Sequence, residues 1–192
     1  NIGTLYTLYG RRAGAELSFE KLLLEMRERF PDLSFTVFCN REASDVLPPA
    51  SDRLKKTVVP WLEQQHRKAL WLEFFSPRRV CAQHLDLFWI PSGANSFPGR
   101  WNLPVVVTIH DVGEYFVPGK YDRQRTFYRK RICLPRSVSR ASVLTTVSEH
   151  SAANLQRLFR LPQSPVVVPN GPNPRSTHDG QPSLDILRAE AG

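Results

Sequence analysis

Polar side chains that could take part in chemistry follow directly after the apolar stretches of this sequence. His110 and Asp111 come after residues 104–109, the most continuously apolar stretch of the chain. A histidine in that position can donate a hydrogen bond to a hydroxyl or phosphate group, or transfer a proton near neutral pH. It can equally well satisfy nearby backbone groups, so the position alone leaves both roles open.

Small and capping residues mark the other candidate positions. These are Gly10, Gly14, Ser148, Glu149, Asn170 and Gly171. Glycines before a helix let backbone N–H groups approach an anion, but the first pair fits neither Gly-x-Gly-x-x-Gly nor a P-loop, and a tight turn explains it equally well. The serine and glutamate are typical of a helix start, and the asparagine and glycine are typical of a turn.

An alternation of strand and helix patterns must position these residues. The predicted strands cover residues 2–8, 34–39, 57–59, 85–90, 104–109, 142–147 and 165–169. The predicted helices cover residues 15–29, parts of 61–81, 123–139 and 149–160. This order predicts an α/β fold, a single domain whose parallel sheet has helices on both faces. Because ligands of such sheets bind beyond the carboxyl ends of the strands, the scattered candidates could meet there.

Two of the helical patterns predict which side chains face the core. In the first helix the apolar positions follow a period of 3.6 residues. They are Phe19, Leu22, Leu23, Met26 and Phe30. In the last helix the inward-facing residues are Ala152, Leu155 and Phe159.

The positive charge of the chain is concentrated in one segment. The formal net charge of the whole chain is +8, and residues 115–140 contain eight basic residues and one acidic residue. The segment could be a solvated amphipathic helix, or Arg123, Arg129, Lys130 and Arg131 could form a surface for acidic lipid headgroups or a phosphorylated ligand. Because no zinc-finger, RNP or basic-zipper pattern accompanies the charge, we expect no nucleic-acid partner.

Several classes of protein and site are disfavoured by what the sequence lacks. No apolar run approaches the ~18 residues of a membrane span, and the first residues show no signal-peptide core. Cys39, Cys81 and Cys133 fit no disulfide framework, which favours a reducing, cytoplasmic compartment. No His-Glu-x-x-His, Gly-x-Ser-x-Gly or metal-ligand spacing is present, so we expect no metal site.

Taken together, four stretches resemble a known family. They are residues 105–111, 128–131, 143–151 and 166–171. Their strand-His-Asp, Thr-Val-Ser-Glu-x-Ser and Val-Pro-Asn-Gly sequences occur in the order seen in the N-terminal half of family 4 glycosyltransferases. That family comprises retaining enzymes with two facing Rossmann-like domains.

The resemblance implies a domain division and an activity. Residues 1–171 would form a single Rossmann-like domain on the acceptor side, and residues 172–192 would lead towards a C-terminal region. The enzyme would transfer a sugar from a nucleotide-sugar to a glycan or lipid-linked acceptor, with the nucleotide-sugar as donor substrate and no further cofactor. It would be cytoplasmic, with peripheral contact to an acidic membrane surface on the inner face.

The resemblance also implies roles for the candidate residues. His110 would be catalytic, contacting and orienting the transferred sugar. Substrate-binding residues would be Gly10, Gly14, Asp111, Ser148, Glu149, Asn170 and Gly171. The two N-terminal glycines would lie near the donor diphosphate, the serine and glutamate would line the floor of the cleft, and the last pair would mark the passage to the second domain.

One expected feature of the family is absent from this sequence. The family's donor site lies mostly in the C-terminal domain and includes two glutamates separated by seven residues. Glu20 and Glu28 have that spacing but lie in the first helix, where we interpret them as solvent-facing charges. We therefore expect the chain to lack most activity without a C-terminal donor domain or partner chain. The alternative is a non-enzymatic module of the same fold that binds a phosphorylated sugar or an anionic surface.

Overall fold

The computed structural model describes residues 1–10 and 14–170. Its strands are β1 (Ile2–Tyr6), β2 (Phe35–Cys39), β3 (Leu54–Val58), β4 (Leu87–Ile90), β5 (Val105–Thr108), β6 (Val143–Thr146) and β7 (Val166–Val167). They pair in parallel, in the order β3-β2-β1-β4-β5-β6-β7. This arrangement confirms the predicted α/β fold with a parallel sheet.

Helices connect the strands and cover both faces of the sheet. They are α1 (Gly14–Arg29), α2 (Arg41–Val46), α3 (Gln65–Leu70), α4 (Ser76–Cys81), α5 (Arg123–Phe127), α6 (Leu134–Arg140) and α7 (Glu149–Phe159). The π-helical segment Trp71–Phe75 joins α3 to α4, and Tyr128–Cys133 joins α5 to α6. Short 3-10 turns occupy Pro60–Glu63 and Gly113–Tyr115. Among the described residues, no helix is both long and apolar enough to cross a lipid bilayer.

The core consists of two hydrophobic clusters, one on each face of the sheet. Phe38 and Phe88 pack with Trp71 in the larger cluster, under α3, α4, α6 and α7. Phe35 and Trp89, from the same two strands, belong to the other cluster, under α1 and α2. Successive residues of a strand point to opposite faces, so strands that contribute to both clusters are apolar along their whole length.

Three local predictions differ from the structure. Strand β3 begins at Leu54 rather than at residue 57. It lies at the edge of the sheet, and the two lysines Lys55 and Lys56 mask its strand pattern in the sequence. Phe19 and Leu23 of α1 are buried, but Leu22 is 39% exposed, and Phe30, which follows the last residue of the helix, is 54% exposed. The sheet therefore covers a narrower face of α1 than the periodicity predicts.

Two other helical predictions have clear outcomes. Glu28 is exposed, as predicted, but Glu20 is part-buried and accepts a hydrogen bond from the Tyr6 hydroxyl. In α7, Ala152 and Leu155 are buried and Phe159 packs against the core, which confirms the predicted inward face.

The direction of winding reverses between β1 and β4. The chain proceeds outward from β1 through β2 to β3, returns to β4 beside β1, and continues in the other direction through β7. Connections therefore leave these two adjacent strands on opposite sides, and a crevice forms beyond their carboxyl ends.

Candidate functional site

A cavity of about 330 Å³ lies at this crevice between β1 and β4. Its wall is formed by the residues after β1, the first turns of α1, the inner face of α3, the residues after β4 and one residue of α5. The volume falls within the range of small-molecule sites. Hydrogen-bonding groups from five separate segments therefore converge where the fold predicts a ligand.

Lys68 of α3 is a buried cation in the wall of this cavity. Its side chain is only 5% exposed, and its Nζ lies 5.6 Å from the centre of the Tyr9 ring. Burial lowers the pKa of Lys68 to about 8, and the negative charge of Glu16 opposes this shift only in part. Sequence analysis missed this residue, although Lys68 precedes the buried Trp71 and Leu72 by three and four positions, a spacing that places all three on one helical face.

The loop after β1 is held in place by Asn40. The Asn40 side chain accepts a hydrogen bond from the Leu8 N–H at 3.1 Å and donates one to the Leu8 carbonyl. Gly10, at φ +86°, donates its N–H to the carboxylate of Glu42 at 3.0 Å. An anion at this loop would therefore have to displace that carboxylate. Gly14 begins α1 and is exposed.

His110 lies beside the cavity rather than in its wall. Its Nε2 is 3.0 Å from the carbonyl oxygen of Pro91, a residue of the cavity wall. Its own carbonyl accepts a hydrogen bond from the Ser151 hydroxyl at 3.1 Å. The imidazole is thus anchored to the loop after β4, and its backbone is anchored to α7.

Asp111 is tied into its own loop. Its carboxylate accepts hydrogen bonds from the Gly113 N–H at 2.8 Å and from Lys120 Nζ at 2.7 Å. Partial burial raises the pKa of Asp111, but these two hydrogen bonds and the charges of Lys120 and Arg129 outweigh it, so the net shift is downward. The carboxylate therefore stays ionised and fixes the loop that follows His110.

The remaining predicted residues lie further along the same sheet edge. Ser148 caps α7, accepting a hydrogen bond from the Ser151 N–H at 3.2 Å, which confirms the predicted helix start. Glu149 and Asn170 are exposed. They follow β6 and β7, which are two and three strands away from β4, and none of these three residues lines the cavity. Gly171 lies outside the described residues.

Comparison with known proteins identifies the family. Residues 14–175 match the family model described as Glycosyltransferase Family 4. The chain belongs to this family. No curated protein matches the sequence at a significant level.

Two solved structures of one protein have a fold similar to that of this chain. The Anabaena protein HepE (Alr3699) has been crystallised with UDP and glucose, and that structure is similar to this chain with a TM-score of 0.53 and 18% identity. Its crystal structure with UDP alone gives a TM-score of 0.54 at the same identity. Each match covers 100% of this chain and 50% of HepE, so the family 4 chain spans about half the length of this neighbour.

One of the four residues predicted to form an anion-binding surface on this family 4 chain is buried in the structure. Arg129 is only 3% exposed, and its guanidinium binds the buried Glu114 carboxylate through Nε at 2.8 Å and Nη2 at 3.2 Å. Its Nη1 also donates to Asn95 Oδ1 at 2.8 Å. Arg129 is therefore an internal residue whose charge is neutralised by Glu114. The sequence did not reveal this pairing, because Glu114 lies one residue before the basic segment 115–140.

The other three residues of the predicted surface remain accessible. Arg123 and Arg131 are exposed, and Lys130 is part-buried with Nζ 4.8 Å from the centre of the Tyr115 ring. All three line a shallow hollow with Phe127, whose side chain is 61% exposed. This combination of cations around an exposed aromatic ring suits an interface between water and an anionic, apolar surface.

Proposed function

We propose that this chain is the acceptor-side half of a hexosyltransferase that moves a sugar from a nucleotide-sugar donor to a glycan or lipid-linked acceptor. The observation that carries the proposal is the cavity beyond β1 and β4, with His110 fixed at its edge, in a chain of the glycosyltransferase family. One crystal structure of the fold neighbour HepE contains UDP and glucose and another contains UDP, which supports a nucleotide-sugar as the donor.

In this proposal His110 contacts and orients the transferred sugar. The Pro91 carbonyl can only accept a hydrogen bond, so the contact assigns the proton of the neutral ring to Nε2. Nδ1 is then an acceptor for a sugar hydroxyl. Because the imidazole is held through Pro91 and its backbone through Ser151, little conformational freedom is lost when substrate binds.

The neighbouring residues have supporting roles in the same proposal. The Gly10 loop would border the donor diphosphate after Glu42 moves away, and Asp111 would hold the loop that follows His110. Ser148 would fix the start of α7 on the cleft floor. The roles of Asp111 and Ser148 use hydrogen bonds already present, whereas that of Gly10 requires its bond to Glu42 to break. All three roles require a second domain to supply the opposite wall of the cleft.

A donor-binding domain, in the same protein or in a partner chain, completes the active site in this proposal. Closure of two domains over the substrates excludes water and aligns the donor with the acceptor. We therefore expect residues 1–192 alone to have little or no transferase activity. A cytoplasmic location with peripheral contact to the inner membrane face fits the hollow around Phe127, because lipid-linked acceptors lie at that surface.

Transfer assays with protein that carries both domains test the role of His110. We expect His110→Ala to lower kcat by at least about tenfold without lowering Tm by more than a few degrees, because the loss falls on substrate orientation. His66→Ala is the matched control, since His66 is an exposed histidine on α3. Unchanged turnover in His110→Ala would remove this residue from the site. Anion binding without transfer by the complete protein would favour a non-enzymatic binding module.

A further inference from the structure

The cavity between β1 and β4 is bordered by a buried lysine that forms no salt bridge with the described residues. Among the described residues, Lys68 forms no ion pair and no hydrogen bond, and its only specific contact is with the face of the Tyr9 ring. Removing an ammonium group from water is costly unless a partner compensates the charge. The ammonium group of Lys68 carries this desolvation cost beside an open cavity, where a ligand could supply the compensating negative charge.

A second cation borders the same cavity. Arg125 of α5 stacks on the Tyr121 ring, with 4.3 Å between the guanidinium carbon and the ring centre, and its side chain forms no ion pair among the described residues. Its charge is one of the factors that lower the pKa of Lys68, so the two cations lie within electrostatic reach of one another. Within the part of the chain that the structure describes, Glu16 is the one acidic residue of the cavity wall.

Neutral hydrogen-bond donors complete the wall, and one of them is held in a fixed orientation. Asn95 Oδ1 accepts a hydrogen bond from Arg129, which orients the amide so that its NH2 group points the other way, towards Ser92 Oγ at 3.1 Å. An NH2 group has two donors, so one remains for a ligand. Arg129 is itself fixed by Glu114, and it therefore acts as a positioning residue for Asn95.

We propose that this cavity binds an anionic group, a phosphate or a carboxylate, carried by a sugar-sized acceptor and held between Lys68 and Arg125 with help from Asn95. The ammonium and guanidinium groups supply charge-assisted hydrogen bonds, and the amide supplies a neutral one. The volume of about 330 Å³ suits a monosaccharide derivative rather than a long glycan. The assignment to an acceptor rests on the proposed function, whereas anion binding by this cavity does not.

Calorimetric titration of the 192-residue protein in a phosphate-free buffer tests the site. The probes are glucose 6-phosphate, glucuronate and glucose, which place a phosphate, a carboxylate or no charge on similar rings. We expect saturable binding of one or both charged sugars and at least about tenfold weaker binding of glucose, because each charge-assisted hydrogen bond contributes that much or more. The better charged probe distinguishes a phosphorylated acceptor from a uronic acid. Equal binding of all three probes, or no binding of either charged one, would overturn the proposal.

Charge-removing variants separate this cavity from the overall positive charge of the protein. Lys68→Met and Arg125→Gln should each weaken binding of the charged probe by about 10- to 100-fold. Arg131→Gln is the matched control, because Arg131 is an exposed residue outside the cavity and its loss changes the net charge by the same amount. Lys68→Met removes a buried charge and is expected to fold. Equal weakening by Lys68→Met and the control would show diffuse attraction and refute the site.

The pH dependence of binding gives a second, independent readout. The groups that face Lys68 are Tyr9, Glu16, Arg125 and Cys133, and burial raises the pKa values of Tyr9 and Cys133 to about 12. Neither ionises below pH 10, so Lys68 is the group that loses its charge near pH 8. Because loss of the Lys68 charge weakens binding about 10- to 100-fold, binding of glucose 6-phosphate should weaken about 7- to 20-fold between pH 7 and pH 9.5 in the unchanged protein, and much less in Lys68→Met. The same pH profile in both proteins would contradict the role of Lys68.

Failure of this inference can be distinguished from failure of the proposed function. Charged-sugar binding that depends on Lys68, in a complete protein that transfers no sugar, would contradict only the transferase proposal. Transfer to a neutral acceptor that is unaffected by Lys68→Met would contradict only the anionic site.

Discussion

Arg129 provides the sharpest test of how the interior supports the cavity. Its guanidinium makes two hydrogen bonds to the Glu114 carboxylate and one to Asn95, and both charged side chains are almost completely buried, at 4% and 0% exposure. Replacing Arg129 by Met removes the cation at similar length and leaves the carboxylate buried without a counter-charge. The structure therefore predicts a large loss of stability from a residue in a segment that otherwise has the composition of a solvated basic helix.

The size of the loss follows from the geometry. Removing one partner of a buried ion pair costs about 3 to 5 kcal/mol, because the remaining charge keeps its desolvation penalty. For a domain of this size, each kcal/mol lowers Tm by roughly 2 to 4 °C, so Arg129→Met should lower Tm by about 6 to 20 °C. Neutralising Glu114 as well should recover part of this, because the Arg129→Met/Glu114→Gln protein no longer contains a buried, unpaired charge.

Urea unfolding followed by tryptophan fluorescence and circular dichroism measures these changes. Arg131→Met is the matched control, because it removes an arginine only two residues away whose side chain is exposed, and surface substitutions usually change stability by no more than about 0.5 kcal/mol. A loss below about 1 kcal/mol for Arg129→Met would refute the buried pair. So would a double variant whose loss equals the sum of the two single losses.

Three further predictions concern individual side chains and the exposed basic surface. The pKa of Lys68 is lower in the folded protein than in the unfolded chain, so the unfolded state binds more protons between pH 8 and 10.5. The destabilisation of the folded state by the buried ammonium group therefore disappears as the pH rises. Urea unfolding should therefore show Lys68→Met to be more stable than the unchanged protein by up to about 3 kcal/mol at pH 7, with a much smaller difference at pH 10. A stability difference that is the same at both pH values would contradict the lowered pKa of Lys68. Ser148→Ala should lose about 1 kcal/mol and 2 to 4 °C in thermal unfolding because the α7 cap is removed, and an unchanged Tm would show the cap to be unimportant. Replacing Arg123, Lys130 and Arg131 together by Gln should weaken sedimentation with acidic vesicles about 100-fold, and equal binding of the unchanged protein to neutral and acidic vesicles would defeat the electrostatic interpretation.

The sequence was sufficient to predict the sheet and the edge at which the candidate site residues lie. Continuously apolar stretches such as Val105–Thr108 have one explanation, a strand covered on both faces, and the carboxyl ends of parallel strands share one edge. The position of His110 at that edge and the capping role of Ser148 follow from local sequence alone. Their use in substrate binding stays a prediction.

The contacts that shape the cavity could not be predicted, because they join segments that are distant in sequence. Arg129 meets Glu114 and Asn95 at separations of 15 and 34 residues. Outside the cavity wall, Arg140 meets Glu73 at a separation of 67 residues in the same way. A charge count over one segment treats each of these arginines as free. The pairing becomes visible only after the strands have placed the loops side by side.

Lys68 shows a different limit of sequence-based reasoning. Its helical spacing with Trp71 and Leu72 was present in the sequence, but lysine at an inward position contradicts the usual preference for apolar residues. The sequence pattern therefore predicts a partly helical stretch over residues 61–81 but does not identify a buried cation within it. Departures of this kind from the local rules are expected at functional sites.

Titration of the 192-residue protein with UDP-glucose tests the central claim most directly. If this chain forms the acceptor side of the active site, its cavity provides no complete site for a nucleotide, and calorimetry should detect no binding at micromolar concentrations. Glucose 6-phosphate or glucuronate should bind the same preparation and show that the protein is folded and competent. Micromolar or tighter binding of UDP-glucose would contradict the assignment of acceptor and donor to different halves.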